Sequence, residues 1–169
     1  MSTALLVIDI QNDYFTGGKF PLWNADAVLG NIEQTIERAK VLGIPVIHVQ
    51  HIFNGAQAPF FGVDTPGADI HPRIVAAAPD APVVVKEHAD SFEKTTLDNT
   101  LGKLGIKNLL ICGMMTQNCV AYTAVSKAAE KYNVTVLNDC CTTVDAMIHA
   151  FAISALSDRL KVVPSMEAV

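Results

Sequence analysis

The most informative part of the sequence is the stretch Ile111-Cys112-Gly113-Met114-Met115-Thr116-Gln117-Asn118-Cys119-Val120. The apolar run that ends at Cys112 predicts a buried strand, Gly113 ends that strand, and Thr116 is a suitable N-cap for the helical pattern that follows. We therefore expect Cys119 in the first turn of a helix, just past the carboxyl end of a strand. The positive partial charge of a helix N-terminus favours a thiolate, and its free N–H groups can bind an oxyanion. The stretch therefore predicts a nucleophilic cysteine.

The length and composition predict one compact domain over residues 1–169. Half of the 169 residues are apolar and only 17% are charged, which is typical of a chain with a sizeable core rather than a disordered one. A formal charge of −5 without a basic stripe argues against a nucleic-acid partner. No apolar run approaches the ~20 residues of a membrane span, so we expect no membrane partner. The four cysteines lack disulfide-framework spacing and no signal peptide is visible, so we expect a cytoplasmic location.

Apolar runs alternate with helical patterns along the whole chain. We predict strands at residues 4–10, 45–49, 82–85, 106–112, 134–137 and 160–163, and helices at residues 26–42, 95–104, 117–132 and 145–156. This alternation predicts an α/β fold with three layers: a doubly wound, six-stranded, mostly parallel sheet of Rossmann-like topology. A nucleotide-binding Rossmann protein is disfavoured, because no Gly-x-Gly-x-x-Gly follows the first strand. In such sheets the ligand site lies beyond the carboxyl ends of the strands.

Residues 51–81 differ from the rest of the chain. They contain four prolines, several glycines and the pair Phe60-Phe61, and they show no clear periodicity. A long stretch of this kind inside a compact domain is usually a functional loop, so we predict a lid inserted into the single domain.

Three chemically active side chains lie at or near the carboxyl ends of predicted strands. They are Asp9 after the first strand, Lys86 after the third and Cys119 after the fourth. If the first strand lies beside the fourth, all three face one crevice. Cys119 would then be the nucleophile, Lys86 would supply positive charge that favours the thiolate, and Asp9 would take the thiol proton and pass it to a leaving group.

Two motifs resemble those of the isochorismatase-like cysteine hydrolases, the superfamily that includes nicotinamidases and N-carbamoylsarcosine amidase. They are Leu6-Val7-Ile8-Asp9-Ile10-Gln11-Asn12-Asp13-Tyr14 followed by Gly17-Gly18, and Gly113-Met114-Met115-Thr116-Gln117-Asn118-Cys119-Val120. Lys86 falls where the catalytic lysine of that family is expected, and the resemblance covers nearly the whole chain.

The resemblance implies a thioester mechanism and several site residues. Cys119 attacks the carbonyl of a small amide or carbamoyl compound, and the backbone N–H groups of Met115 and Cys119 form the oxyanion hole. Asp9 protonates the departing ammonia or amine and later activates water. The Met114–Met115 peptide is expected to be cis. Gln11 and Tyr14 are expected to line the pocket beside Asp9.

The sequence departs from the nicotinamidase pattern, whose metal site has the form Asp-x-His with a further histidine. The corresponding stretch here is His48-Val49-Gln50-His51-Ile52-Phe53-Asn54-Gly55, which lacks the aspartate. Because the histidines also match no strong metal-ligand spacing, we expect no metal and no cofactor. Residues 60–72 look like the metal-free members, in which this segment covers the pocket and is often near a subunit interface. Trp23, His51 and Met114 are further candidates for the substrate pocket.

Four functional interpretations are compatible with these motifs. The preferred one is a metal-free cysteine hydrolase acting on a small amide, carbamoyl or ureido compound, since true isochorismatases cleave a vinyl ether and several lack the cysteine. The others are a nicotinamidase with an altered metal site, a catalytically silent binding or assembly module, and a thiol redox protein. The presence of Asp9, Lys86 and Cys119 argues against a silent module, and the lack of a Cys-x-x-Cys motif argues against redox chemistry. The resemblance also predicts a homo-oligomer, a dimer or higher, with a small-molecule substrate.

Overall fold

The computed structural model describes residues 2–55 and 57–169, and within them the chain forms a six-stranded sheet. The strands are β1 (Thr3–Ile8), β2 (Val46–His51), β3 (Val83–Lys86), β4 (Asn108–Met114), β5 (Asn133–Thr142) and β6 (Lys161–Val163). Their order is β3-β2-β1-β4-β5-β6, and every neighbouring pair is parallel. This confirms the predicted doubly wound α/β fold. The chain order reverses between β1 and β4, which is where such sheets bind ligands.

Helices cover both faces of the sheet. They are α1 (Ala25–Val41), α2 (Pro72–Ala77), α3 (Leu97–Lys103), α4 (Ala121–Ala124) and α5 (Ala146–Ser157). One core lies between the sheet and helices α1 and α2, and the second lies on the face covered by α3, α4 and α5. No helix in the described ranges has both the length and the apolar character needed to cross a membrane.

Strand β1 shows why a continuous apolar run predicted a central strand. Leu5 and Val7 pack into the core on the α1 side, whereas Leu6 and Ile8 pack into the core on the opposite side. A strand of a parallel sheet that is covered on both faces needs apolar residues at every position.

The predicted helix over residues 117–132 is wrong in detail. The chain forms a π-helical turn at Thr116–Val120, the short helix α4 and a 3-10 turn at Lys127–Lys131. Ser126 interrupts the helix because its side chain accepts a hydrogen bond from the backbone N–H of Ala128 and donates one to Asp90. Thr116 is not an N-cap either, since its hydroxyl lies 2.9 Å from Nδ1 of His149.

The segment 51–81 has more structure than its sequence suggested, although Ala56 lies outside the described residues. It contains α2 and a 3-10 turn at Pro66–Ala68, and Phe61 is fully buried. The buried carboxylate of Asp13 organises this region: it accepts hydrogen bonds from the backbone N–H groups of Lys19, at 3.0 Å, and Phe61, at 2.7 Å. A side chain at Gly67 would collide with that carboxylate, since its Cβ would lie 2.2 Å from an oxygen of Asp13. The segment is therefore folded against the domain.

Strands β1 and β4 approach each other closely at Gly113. Gly113 has a φ of 135°, and a Cβ atom built on it would lie only 2.1 Å from the carbonyl oxygen of Ile8. Both the left-handed backbone and the missing side chain are therefore required here. This contact sets the spacing between the two strands whose ends carry Asp9 and Cys119.

We predict that Gly113→Ala lowers the free energy of unfolding by about 3 kcal/mol or more, because the β1 backbone would have to move and the φ angle would be strained. Gly102→Ala is the matched control. Gly102 lies in α3 with no atom within 4 Å of the new Cβ, so alanine should raise stability by about 0.5–1 kcal/mol. Urea unfolding followed by circular dichroism measures both. Equal effects of the two changes would contradict the packing argument.

Candidate active site

Four neighbouring strands each place one chemically active side chain at the same edge of the sheet. In spatial order these are Lys86 at the end of β3, His51 at the end of β2, Asp9 just after β1 and Cys119 just after β4. Each has a relative exposure of 5% or less. The structure thus brings together the three side chains that the sequence placed in one crevice, and it adds His51 between them.

Short contacts connect these side chains. Nζ of Lys86 lies 3.0 Å from Oδ2 of Asp9 and 3.1 Å from Nδ1 of His51. The same His51 nitrogen lies 3.7 Å from Sγ of Cys119. An oxygen of Asp9, a ring nitrogen of His51 and the sulfur of Cys119 all lie within 4.8 Å of one another. The side chains therefore form one contiguous cluster.

The backbone turns at Asp9 to direct the carboxylate into this cluster. Asp9 has a φ of 55°, which is uncommon for a residue other than glycine, although aspartate tolerates this region better than most residues. Its N–H donates to the carbonyl of Val49 at 3.0 Å, which ties the turn to β2. Among the described residues, Oδ1 of Asp9 has no hydrogen-bond partner. That oxygen is available to accept or deliver a proton.

The turn that carries Cys119 begins directly after β4. Both Asn118 and Val120 donate backbone hydrogen bonds to the carbonyl of Met115, at 3.0 and 3.3 Å. The Met114–Met115 peptide is cis, as the resemblance predicted. The nucleophile turn is therefore short and tightly wound, although it is a π-turn rather than the expected start of a long α-helix.

Asp9 and Lys86 hold each other in their charged forms. Burial by itself raises the pKa of Asp9, but the positive charge of Lys86 and the contact with His51 outweigh it, so the pKa is lower than usual. Burial likewise disfavours a charged Lys86, yet the Asp9 carboxylate raises the pKa of the ammonium above its ordinary value. The pair is a carboxylate and an ammonium at neutral pH.

The resting state of Cys119 differs from the expected thiolate. Burial and the negative charge of Asp9 raise the pKa of the Cys119 thiol, and the opposing effect of Lys86 is smaller. Lys86 does lower the pKa of the thiol, as predicted, but burial and Asp9 outweigh it, so the net shift does not favour the expected thiolate in the free enzyme. A buried thiol beside an ionised carboxylate is instead suited to lose its proton only when it attacks a substrate.

The sequence predicted His51 only as a substrate-pocket residue, and the structure places it inside the cluster, against Lys86 and Cys119. A protonated Lys86 can only donate, so its contact with Nδ1 of His51 is a hydrogen bond to that nitrogen when the nitrogen is unprotonated. Nε2 is buried without a hydrogen-bond partner among the described residues. The sequence signal was present, since His51 ends β2, but the predicted strand stopped two residues short of it.

Gln11 holds His51 in place. Its side-chain oxygen accepts the N–H of His51 at 2.8 Å, and its amide nitrogen donates to the carbonyls of His51, at 2.8 Å, and Ala68, at 2.7 Å. Gln11 was expected to line the substrate pocket, but these three bonds use both ends of its amide. The geometry favours a positioning role between β2 and the segment 51–81.

The other predicted pocket residues, Tyr14, Trp23 and Met114, lie in three different environments. Tyr14 is buried with its ring centroid 4.5 Å from that of Phe61, and burial together with the nearby negative charge of Asp9 raises its pKa. Trp23 is 41% exposed and lies beside His149, with 6.1 Å between ring centroids. Met114 is fully buried in the core on the α1 side, because alternate residues of β4 face that core. Met114 is therefore core rather than pocket wall.

The cluster does not suit the divalent metal that nicotinamidase-type members of this fold carry. Asp9, His51 and Cys119 could each offer one ligand atom, but the ammonium of Lys86 lies 3.0–3.1 Å from the aspartate oxygen and the histidine nitrogen. A cation bound to those atoms would be placed against an existing positive charge.

Comparison with known proteins identifies the family. Residues 3–168 match the isochorismatase domain. The isochorismatase family protein YddQ of Bacillus subtilis is 40% identical, over 88% of this chain and 82% of that protein. Streptothricin hydrolase of Streptomyces noursei is 31% identical, over 98% of this chain and 69% of that protein.

A solved structure has the same fold. The crystal structure of a candidate isochorismatase hydrolase from Oleispira antarctica superimposes with a TM-score of 0.89, at 39% identity, covering 99% of this chain and 95% of that one. The family match spans both motifs and the lysine between them. The chain therefore belongs to the isochorismatase family and is a hydrolase of that family.

Proposed function

We propose that the protein is a metal-independent cysteine hydrolase that cleaves a C–N bond of a small amide, carbamoyl or ureido compound. The observation that carries the proposal is the buried cluster of Asp9, Lys86 and Cys119, in which a thiol, an ionised carboxylate and an ammonium meet. Each of these groups has one role in covalent amide hydrolysis.

In the first half-reaction Asp9 takes the thiol proton of Cys119 as the sulfur attacks the substrate carbonyl carbon. The negative charge passes from the carboxylate to sulfur and then to the carbonyl oxygen, close to the ammonium of Lys86. The backbone N–H groups of Met115 and Cys119 stabilise that oxyanion. When the C–N bond breaks, Asp9 returns its proton to the leaving nitrogen, so ammonia or an amine departs and a thioester remains.

In the second half-reaction Asp9 accepts a proton from water, which attacks the thioester carbonyl. The C–S bond breaks, and the proton on Asp9 returns to the sulfur of Cys119. The products are a free acid and the resting thiol. The same carboxylate acts as base and acid in both halves, and its lowered pKa keeps it ionised in the free enzyme, before the first proton transfer.

Aromatic residues from the described part of the segment 51–81 lie beside the site. Phe61 contacts the ring of Tyr14, and Phe53 packs against His51 with 4.4 Å between centroids. We propose that this segment is a lid that shields the thioester from bulk water. We further propose a cytoplasmic enzyme, supported by four free cysteines, that works as a homo-oligomer.

The test is an ammonia-release screen over small amides, ureas and carbamoyl compounds. Replacing the nucleophile, Cys119→Ala, should reduce turnover of any hit by about 10⁴-fold or more. Cys140→Ser is the matched control, because a hydroxyl can keep the contact with Thr35 and the residue lies outside the cluster. Turnover by Cys119→Ala at the wild-type rate would refute the thioester mechanism.

Asp9→Asn should lower the pKa of the Cys119 thiol while it abolishes turnover. The carboxylate charge raises that pKa in the wild type. With a neutral amide at position 9, the thiolate becomes the anion that pairs with the buried ammonium of Lys86, so the thiolate is favoured. Ultraviolet thiolate absorbance as a function of pH measures this shift. The double variant Asp9→Asn/Cys119→Ala supplies the background from the other cysteines. A thiol pKa that stays unchanged or rises would count against the assigned charge of Asp9.

His51→Phe should lower kcat by about 10-fold or more. The change removes the ring nitrogen that contacts Lys86, whereas an aromatic ring packed against Phe53 is retained. His51→Gln restores an acceptor and should recover part of the rate. His88→Gln is the control, since only the main-chain carbonyl of His88 contacts Lys86, at 3.0 Å. Wild-type kcat in His51→Phe would show that the contact is incidental.

A further inference from the structure

The residues that follow β3 hold the ammonium of Lys86 through their backbone. Nζ of Lys86 donates to the carbonyl of His88 at 3.0 Å, and the carbonyl of Ala89 lies 3.4 Å away. Residues 87–91, which we call the lysine loop, form bends and a turn rather than a strand or a helix. No regular ladder of backbone hydrogen bonds therefore fixes the two carbonyls, and the loop needs another support if they are to hold the ammonium in one place.

Two buried hydroxyl groups supply that support at the end of the lysine loop. Oγ1 of Thr123 accepts the backbone N–H of Ser91 at 3.0 Å and donates to Oγ of Ser91 at 2.8 Å. Both residues are fully buried. Buried hydroxyl and N–H groups are strongly unfavourable without partners, whereas apolar side chains could fill the same space without any. The two hydrogen bonds therefore tie the loop to one particular point on α4.

That point belongs to the same stretch of helix as the nucleophile. Thr123 lies four residues after Cys119, and Val120 between them has helical backbone angles, with φ of −65° and ψ of −55°. One short helical stretch therefore connects the Thr123 hydroxyl to the residue that carries the sulfur. A second bond joins the same two segments, because the hydroxyl of Ser126 donates to the carboxylate of Asp90 at 2.6 Å.

We propose that Ser91 and Thr123 are positioning residues of the active site, which connect the lysine loop to the helix that carries Cys119. The inference rests on the proposed function, since it takes Lys86 and Cys119 as partners in one reaction. The charge of Lys86 lowers the pKa of the Cys119 thiol, and an ammonium that is free to shift would do so less effectively. The hydroxyl pair thus holds the ammonium in a fixed place relative to the sulfur, as an efficient reaction requires.

A hydroxyl pair that only stabilises the fold would behave differently. Its loss would lower the melting temperature, but well below that temperature Lys86 and Cys119 would keep their geometry and their reactivity. The test therefore measures the stability of a variant, the mobility of the lysine loop and the reactivity of Cys119 side by side.

The test uses Thr123→Val in the full chain. Hydrogen exchange of the peptide that contains the lysine loop should become faster. Alkylation of Cys119 by iodoacetamide should become about 3-fold slower or more, at a pH at which the wild-type thiol reacts measurably, because about half a pKa unit changes the thiolate fraction by that factor. On any substrate found, kcat should fall by about 10-fold or more with little change in KM. Peptide mass spectrometry follows both exchange and alkylation.

Two further variants serve as controls. Thr123→Ser keeps the hydroxyl and should restore the exchange and alkylation rates of the wild type. Thr100→Val removes a hydroxyl of α3 that bonds only to the carbonyl of Thr96 in the turn before it, at 3.0 Å, and should change neither rate. Circular dichroism checks that each variant is folded.

Ser91→Ala covers the case in which Thr123→Val fails to fold. It removes one of the two hydrogen bonds and keeps the backbone N–H that reaches Thr123, so it should change the same quantities in the same direction but less. Unchanged exchange in the lysine loop of a folded variant would overturn the proposal. Faster exchange with wild-type alkylation of Cys119 would also overturn it, because the pair would then be merely structural. Neither measurement needs a substrate, so an ammonia-release screen without a hit would count against the proposed hydrolase and leave this inference to be decided separately.

Discussion

The buried ion pair between Asp9 and Lys86 is the interaction on which the site depends. The two charged atoms are 3.0 Å apart, and neither side chain is exposed to solvent. Either charge alone in this position would be strongly unfavourable, because desolvation of an unpaired ion costs several kcal/mol. Together they fix each other's protonation state and form a buried polar pair among apolar residues. Cys119 and His51 lie against this pair, so their chemistry follows from it.

The sheet explains how residues so far apart in sequence meet. In a parallel sheet all carboxyl ends lie at one edge, and the order β3-β2-β1-β4 places Lys86, His51, Asp9 and Cys119 side by side. The closest approach between β1 and β4 is at Gly113, where the missing side chain lets β4 lie against the backbone of Ile8. The chain then leads from β4 into the turn that carries Cys119. A side chain at Gly113 would separate the carboxylate from the thiol before it affected anything else in the site.

The sequence predicted the elements that depend on local patterns of residues. It failed where hydrogen bonds between distant residues determine the structure. Continuous apolar runs identified the six strands, and their polar ends identified Asp9, Lys86 and Cys119. The division of the helix after Cys119 depends on Ser126 bonding to Asp90, which no periodicity reveals. The conformation of the segment 51–81 likewise depends on a distant contact. The buried carboxylate of Asp13 accepts a hydrogen bond from the backbone N–H of Phe61. Such bonds are set by the assembled fold and not by the residues beside them.

The charge arrangement also explains how so buried a site could carry out the proposed hydrolysis. In the resting state Asp9 and Lys86 are a carboxylate and an ammonium, and Cys119 is a thiol. Moving the thiol proton to Asp9 shifts the negative charge to sulfur and leaves the number of buried charges unchanged. Lys86 is opposite a negative group before and after this step, so the transfer needs little reorganisation of the surroundings. A raised thiol pKa in the free enzyme is then compatible with nucleophilic attack, because the proton acceptor and the compensating charge are already in contact with each other.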